Sequence, residues 1–297
     1  MRWTLLALVP PVVLVVRQRR RLNLPRSLST GLAATAPLTV AAALPRGRGR
    51  HALLWAAQMW AYKVAFEIPY DRPERLRRRL RVDGPLRADV ALGRGVAPSQ
   101  RLQERLRRPG DVSALDRALA AVYLFWEAEP HVALAAVLLR RPERFGAAAA
   151  RQAATFDLTL LGYWLAPSAP PWWASEAMGR MDGHVQRVVP RVIRDARGEP
   201  LDQDDNAGAN PWAAMPSDHF AAALAAALTL RELHPTAGAA GLAYAGLLGF
   251  ALVCLGEHYV ADLLAGAGLA AAVAALERPL TPLARRLDRA SRRLEPG

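Results

Sequence analysis

The sequence predicts an all-α protein, a polytopic helical bundle integral to a membrane with about six to eight transmembrane helices. Hydrophobic residues make up 52% of the 297 positions, and alanine- and leucine-rich runs alternate with arginine-rich gaps. Several of these runs approach the length that crosses a hydrocarbon layer. Two of them, residues 220–230 and 238–255, are joined only by Arg231-Glu232-Leu233-His234-Pro235 and so read as a helical hairpin.

Residues 3–16 are apolar but short, contain Pro10-Pro11 and precede the basic cluster Arg17 to Arg21, which reads as an uncleaved anchor or re-entrant piece. Residues 28–44 form a second candidate span and residues 52–68 a third. The segment 71–108 carries twelve arginines and cannot cross a membrane; its leucine/arginine alternation suits one or two helices in the headgroup layer, or a solvated loop. Residues 119–139 form a fourth span that carries Glu127, Glu129 and His131 beside Pro130, the pattern of a kinked helix lining a polar cavity or a site.

The fifth span, residues 152–166, ends at Pro167 to Trp173, whose prolines stop a helix and whose indoles suit an interface. Residues 174–209 read as a polar loop, in which Asp202, Asp204, Asp205 and Asn206 lack the spacing of a calcium loop. After the hairpin come a last span, residues 259–275, and a basic tail. The chain therefore divides into N-terminal hydrophobic segments (1–50), a third span with an Arg-rich interfacial segment (51–111), a membrane core (112–276) and the tail (277–297).

Charge narrows the partners less than its size suggests. The formal net charge is +13, yet arginines at helix ends meet anionic headgroups, so the balance points to a membrane and not to nucleic acid. Lys63 is the sole lysine and reads either as an interface residue or as a phosphate ligand. Cys254, the single cysteine, can form no intrachain disulfide.

The chemistry concentrates at the two ends of the hairpin. Pro216 and Ser217 precede an apolar run and read as a helix start with Ser217 as N-cap, so free N–H groups and a positive dipole end lie near His219. His258 and Asp262 are spaced i, i+4, which places the carboxylate where it can orient one ring nitrogen and leave the other as a nucleophile. The hairpin returns both histidines to one side of the bundle.

These residues also carry a resemblance. Pro216-Ser217-Asp218-His219 and His258-Tyr259-Val260-Ala261-Asp262 resemble the second and third signature motifs of the type 2 phosphatidic acid phosphatase superfamily. Asn210-Pro211-Trp212-Ala213-Ala214-Met215, Pro170-Pro171 and His131 with Arg141-Pro142-Glu143-Arg144-Phe145 are similar to its inositol phosphorylceramide synthase branch. The positions where the superfamily commonly has Ser-Arg hold Ala251 and Leu252, so another cation has to hold the phosphate. Asp218 stands where relatives more often have a small or apolar residue.

The resemblance implies a phosphatase or phosphotransferase acting on a lipid or polyprenyl phosphate ester, with water or an alcohol such as inositol as acceptor. His258 attacks phosphorus, Asp262 fixes its tautomer and His219 serves as acid and base. Lys63, Arg72, Arg75, Ser217 and Asn210 are the expected phosphate ligands, and no cofactor is needed. The resemblance places the site on the exoplasmic face of the cell membrane, whereas the basic residues divide too evenly to choose a side. Two rival classes stand beside it. His219, Glu257, His258 and Asp262 suit a metal, or the paired histidines a haem, and a lipid-binding or transport protein needs no catalysis.

Overall fold

The computed structural model describes residues 3–108, 110–200 and 210–294. It is all-helical, with 78% helix and no strands among the described residues. The acidic cluster at Asp202 to Asn206 lies outside them.

Among the described residues thirteen α-helices follow in order: α1 Val9–Arg17, α2 Arg26–Ala43, α3 Arg48–Glu67, α4 Pro73–Arg77, α5 Asp83–Leu92, α6 Pro98–Leu106, α7 Ala114–Phe125, α8 Glu129–Arg140, α9 Phe145–Leu165, α10 Val188–Arg197, α11 Asp218–Leu233, α12 Pro235–Cys254 and α13 Val260–Leu294. Pro10-Pro11 falls in the first turn of α1, where a missing N–H costs nothing. The Arg-rich segment forms three short helices instead of one or two, because Pro73, Pro85 and Pro98 restart it. The fourth span is two helices bent by 46°, and Pro130 opens the second one. The polar loop holds α10, an amphipathic helix with Val188, Val189 and Val192 buried. α13 continues into the tail as far as Leu294.

The bundle is built around α11. Ala221, Ala222, Ala223, Ala225, Ala226 and Ala227 are all buried, the signature of a helix covered on every side. Side chains this small let α8, α9, α12 and α13 close on it. One cluster joins Trp55 and Tyr62 of α3 to Leu134 and Val137 of α8, Phe156 of α9 and Ala222. A second packs Leu119 and Ala120 of α7 on the valines of α10 and on Cys254. Far from the hairpin motifs, Arg151 of α9 is buried between Glu232 of α11 and Glu277 of α13, with a bond to Thr229.

Among the described residues two helical stretches can cross a membrane by length and composition, Pro235–Cys254 and Val260–Ala284, or three if α7 and α8 form one broken span. α3 and α9 are long enough, at 20 and 21 residues, but Gln58, Lys63 and Glu67 dilute the first and Arg151, Gln152 and Asp157 the second. α11 has 16 residues. The expectation of six to eight spans thus exceeds what these criteria pass.

Candidate active site

The turn between α12 and α13 is held from three sides. Gly256 takes φ +78°, a left-handed conformation that glycine adopts without strain, and a Cβ there would stand 2.8 Å from Gln186 O. The Trp172 backbone N–H donates to Gly256 O at 3.1 Å, and the side chain of the buried Gln103 of α6 donates to Cys254 O at 3.0 Å. The Arg-rich segment therefore props the turn that delivers His258. Asp89 of α5 adds to this by accepting the Ala261 N–H at 3.2 Å in the first turn of α13.

His258 and Asp262 meet as the spacing predicts. His258 Nδ1 lies 3.4 Å from Asp262 Oδ2, which also accepts the Tyr259 N–H at 2.9 Å. On the other side, His258 Nε2 is 3.2 Å from His219 Nδ1, and the two rings cross at 65°. His219 Nδ1 is also 2.8 Å from Asp218 Oδ1, and the Tyr62 hydroxyl donates to Asp218 Oδ2 at 2.7 Å. The Trp126 ring covers His219 at 4.1 Å between centroids. A tautomer that satisfies every contact puts protons on His258 Nδ1 and His219 Nδ1, so both Nε2 atoms carry lone pairs.

Burial disfavours the His258 imidazolium, but the hydrogen bond to Asp262 and the charges of Asp262, Asp218 and Glu257 outweigh it and hold its pKa above the ordinary histidine value.

Both histidines open onto a cavity of about 400 Å³ walled by aromatic side chains that include Tyr62, Phe66, Tyr123, Trp126, Phe156 and Trp172. Two cations reach it, Lys63 and Arg187. Lys63 is exposed and lies 3.7 Å from Glu67; Arg187 stacks over Trp172 at 4.5 Å and lies 3.5 Å from Glu257. Glu127 and His131 also line the cavity, and His131 Nδ1 accepts the Trp55 indole N–H at 2.8 Å.

The other expected ligands are placed differently. Arg72 and Arg75 are exposed and do not line the cavity, because the chain turns away after Phe66 through the buried Ile68 and Pro69 and sets them beside Arg26 of α2. Ser217 caps α11 by accepting the Phe220 N–H at 3.3 Å but does not line the cavity. The helix start offers no spare donors to an anion there. The Asp218 N–H goes to the Tyr163 hydroxyl at 3.2 Å and the His219 N–H to Asp218 Oδ1 at 2.8 Å. Asn210 lines the cavity, yet its amide is engaged by Phe66 O and the Trp212 N–H. Arg187 and Tyr62 escaped sequence reasoning because neither sits in a local pattern; only the adjacency of Tyr62 to Lys63 hinted at the latter.

This ordered set of histidines and carboxylates lies inside the region, residues 98–276, that matches the family model described as PAP2 superfamily. The chain belongs to the PAP2 superfamily. No curated protein and no solved structure matches it. Membership in the PAP2 superfamily brings a phosphatase-type function and, with the apolar helices, makes this a membrane protein.

Proposed function

We propose that the chain cleaves or transfers a phosphate ester of a lipid or polyprenyl alcohol through a phosphohistidine on His258. The observation that carries this is the continuous contact Asp262–His258–His219 at the wall of a cavity supplied with Lys63 and Arg187. His219 enters this step as the imidazolium, with a second proton on Nε2; the His258 Nε2 lone pair attacks phosphorus as the ester P–O bond breaks, and the departing oxygen takes that Nε2 proton. Water or an alcohol then gives a proton to His219 and attacks phosphorus, and the P–N electron pair returns to His258.

The phosphate enters where the two rings now touch, so the 3.2 Å contact between them opens on binding. Arg187 occupies the role left by Leu252, and with Lys63 it neutralises the equatorial oxygens. Asp262 holds the His258 tautomer and stabilises its charged forms. Asn210 and Ser217 support the loop and the helix start around the phosphate.

The motif likeness to the inositol phosphorylceramide synthase branch favours an alcohol such as inositol as acceptor and an exoplasmic site in the cell membrane. We extend the fold to six to eight spans by including α2, α3, α9 and α11. The length of α9 corresponds to about 32 Å, and its polar residues Arg151 and Gln152 are buried in the bundle.

The test is purified protein offered lipid and polyprenyl phosphates with and without inositol, following released phosphate and new lipid. The expected result is turnover that His258→Ala abolishes, with an acid-labile, base-stable phosphoprotein in the wild type. A second reading has its own observation. Donor atoms of Asp218, His219 and His258 lie within 4.8 Å of one another, a set that a transition metal accepts. Activity that EDTA removes and one divalent metal restores would favour it; activity indifferent to EDTA favours the phosphohistidine.

A further inference from the structure

Asp218 is a carboxylate 4% exposed at the wall of a site meant for phosphate, which is an unfavourable place for negative charge unless it serves the reaction. Among the described residues no arginine or lysine forms a hydrogen bond or ion pair with it. Its two oxygens are instead committed, Oδ1 to His219 Nδ1 and the His219 N–H, and Oδ2 to the Tyr62 hydroxyl. Its own N–H is fixed by Tyr163, whose hydroxyl also donates to Pro216 O at 2.7 Å. The carboxylate is therefore held by α3 and α11, and its backbone by α9.

His219 Nδ1 has two neighbours, Asp218 Oδ1 at 2.8 Å and His258 Nε2 at 3.2 Å. Only one of these survives the reaction proposed above. Once phosphorus bonds to His258 Nε2, that nitrogen has no lone pair left, and the His219 ring would be free to turn. The Asp218 contact remains.

We propose that Asp218 is the positioning residue for His219, so that the site contains two Asp–His pairs, one serving the nucleophile and one serving the acid. This rests on the phosphohistidine reading. Asp218 keeps the His219 Nδ1 proton on its own side through both half-reactions, which leaves Nε2 as the atom that moves protons. In the first step the Nε2 proton of the imidazolium goes to the ester oxygen, which keeps the P–O electron pair. In the second, Nε2 takes the acceptor's proton while the acceptor oxygen bonds to phosphorus. Tyr62 holds Asp218 in place and touches no reacting atom.

The test compares a poor and a good leaving group on full-length protein in detergent micelles: dioctanoyl phosphatidic acid, which expels an alkoxide, and p-nitrophenyl phosphate, which expels a stable phenolate. A group that serves the acid matters for the first and little for the second. Asp218→Asn preserves an acceptor for the His219 ring but removes the charge. It is expected to lower kcat/KM, which reports the steps up to departure of the leaving group, about 10- to 100-fold on phosphatidic acid and less than about threefold on p-nitrophenyl phosphate, within the range that acid–base catalysis supplies. Tyr62→Phe should show the same bias at smaller size, which keeps the test open if Asp218→Asn folds poorly. Equal losses on both substrates, or none, in both variants would overturn the inference. His258→Ala tests the reading beneath it separately, because retention of either activity in that variant removes the phosphohistidine and not merely the role of Asp218.

Discussion

The Ser217 amide donates to the Asp262 carbonyl at 3.0 Å, so the first residues of α11 and α13 are joined directly beside the two histidines they present. Gly266, one turn further along α13, is what permits the approach, since a Cβ there would stand 2.5 Å from Ser217 O. Backbone cannot yield as a flexible side chain does. Gly266→Ala is expected to destabilise the protein by about 1–3 kcal/mol and to lower kcat by forcing the helix starts apart. Thermal unfolding in detergent, with kcat on the same sample, checks both.

The acidity of His258 sets a pH limit. The nucleophile of the proposed reaction has to be neutral, and the His258 imidazole is held above its ordinary value chiefly by Asp262 against the effect of burial. The acid limb of kcat/KM is therefore expected to lie above about pH 6.5, the usual histidine value. Asp262→Asn removes the charge that favours the imidazolium, so the limb moves to lower pH while the rate falls. A pH–rate profile of both proteins reads the two effects independently; a limb that stays put in the variant contradicts the assignment.

Arg187 is expected to matter where Arg72 and Arg75 do not. Losing a charge-assisted contact to phosphate costs about 1.5–3 kcal/mol, or roughly 10- to 100-fold in kcat/KM for Arg187→Ala. Arg187→Lys should recover part of that, since it keeps the charge but loses the planar stack on Trp172. Arg72→Ala and Arg75→Ala are expected to stay within about threefold of wild type, because neither side chain lines the cavity. Steady-state kinetics on one lipid phosphate ranks all four.

At the opposite end of the bundle, Arg151→Ala strands Glu232 and Glu277, although each keeps about a third of its side chain exposed. The expected loss is about 2–3 kcal/mol, below the range for fully buried pairs because water still reaches the carboxylates. Glu232 lies 13 residues along α11 from His219, about 20 Å, so kcat measured well below the melting point should be unchanged.

Asp89 ties stability to pH. Burial pushes its carboxyl up to about 6, against hydrogen bonds from Ala261 and Val260 that favour the ionised form. Its folded pKa is raised, so its contribution to stability is full below the unfolded value of about 3.9 and is lost as pH rises through about 6. Melting points recorded between pH 4 and 8 should fall across that window in the wild type, and Asp89→Asn should flatten the decline. A wild-type melting point that rises through the window and is unaltered in slope by the substitution contradicts this.

Much of the site was legible because helical periodicity is local. The i, i+4 spacing of His258 and Asp262 and the short break at Arg231 to Pro235 lie within one stretch of chain, and the meeting of His219 with His258 follows from them. The helical class followed in the same way from the apolar runs. Arg187, Tyr62 and Asp89 were not legible, since each enters from a separate helix or loop and is recruited by tertiary packing alone. The donors at the start of α11 misled for a related reason. Sequence shows a helix start, but not that Tyr163 and Asp218 occupy its N–H groups. Proline positions in the Arg-rich segment marked its breaks, yet nothing local said that Gln103 would brace the turn before His258.

A hollow of about 400 Å³ lies near the lower end of the roughly 300–1,000 Å³ range of small-molecule pockets. If the substrate is the proposed lipid phosphate, that is room for its phosphorylated head and the carbons nearest it, and long tails trail outside. Selection among substrates then falls on the chemistry nearest phosphorus, and chain length or unsaturation should leave turnover almost indifferent.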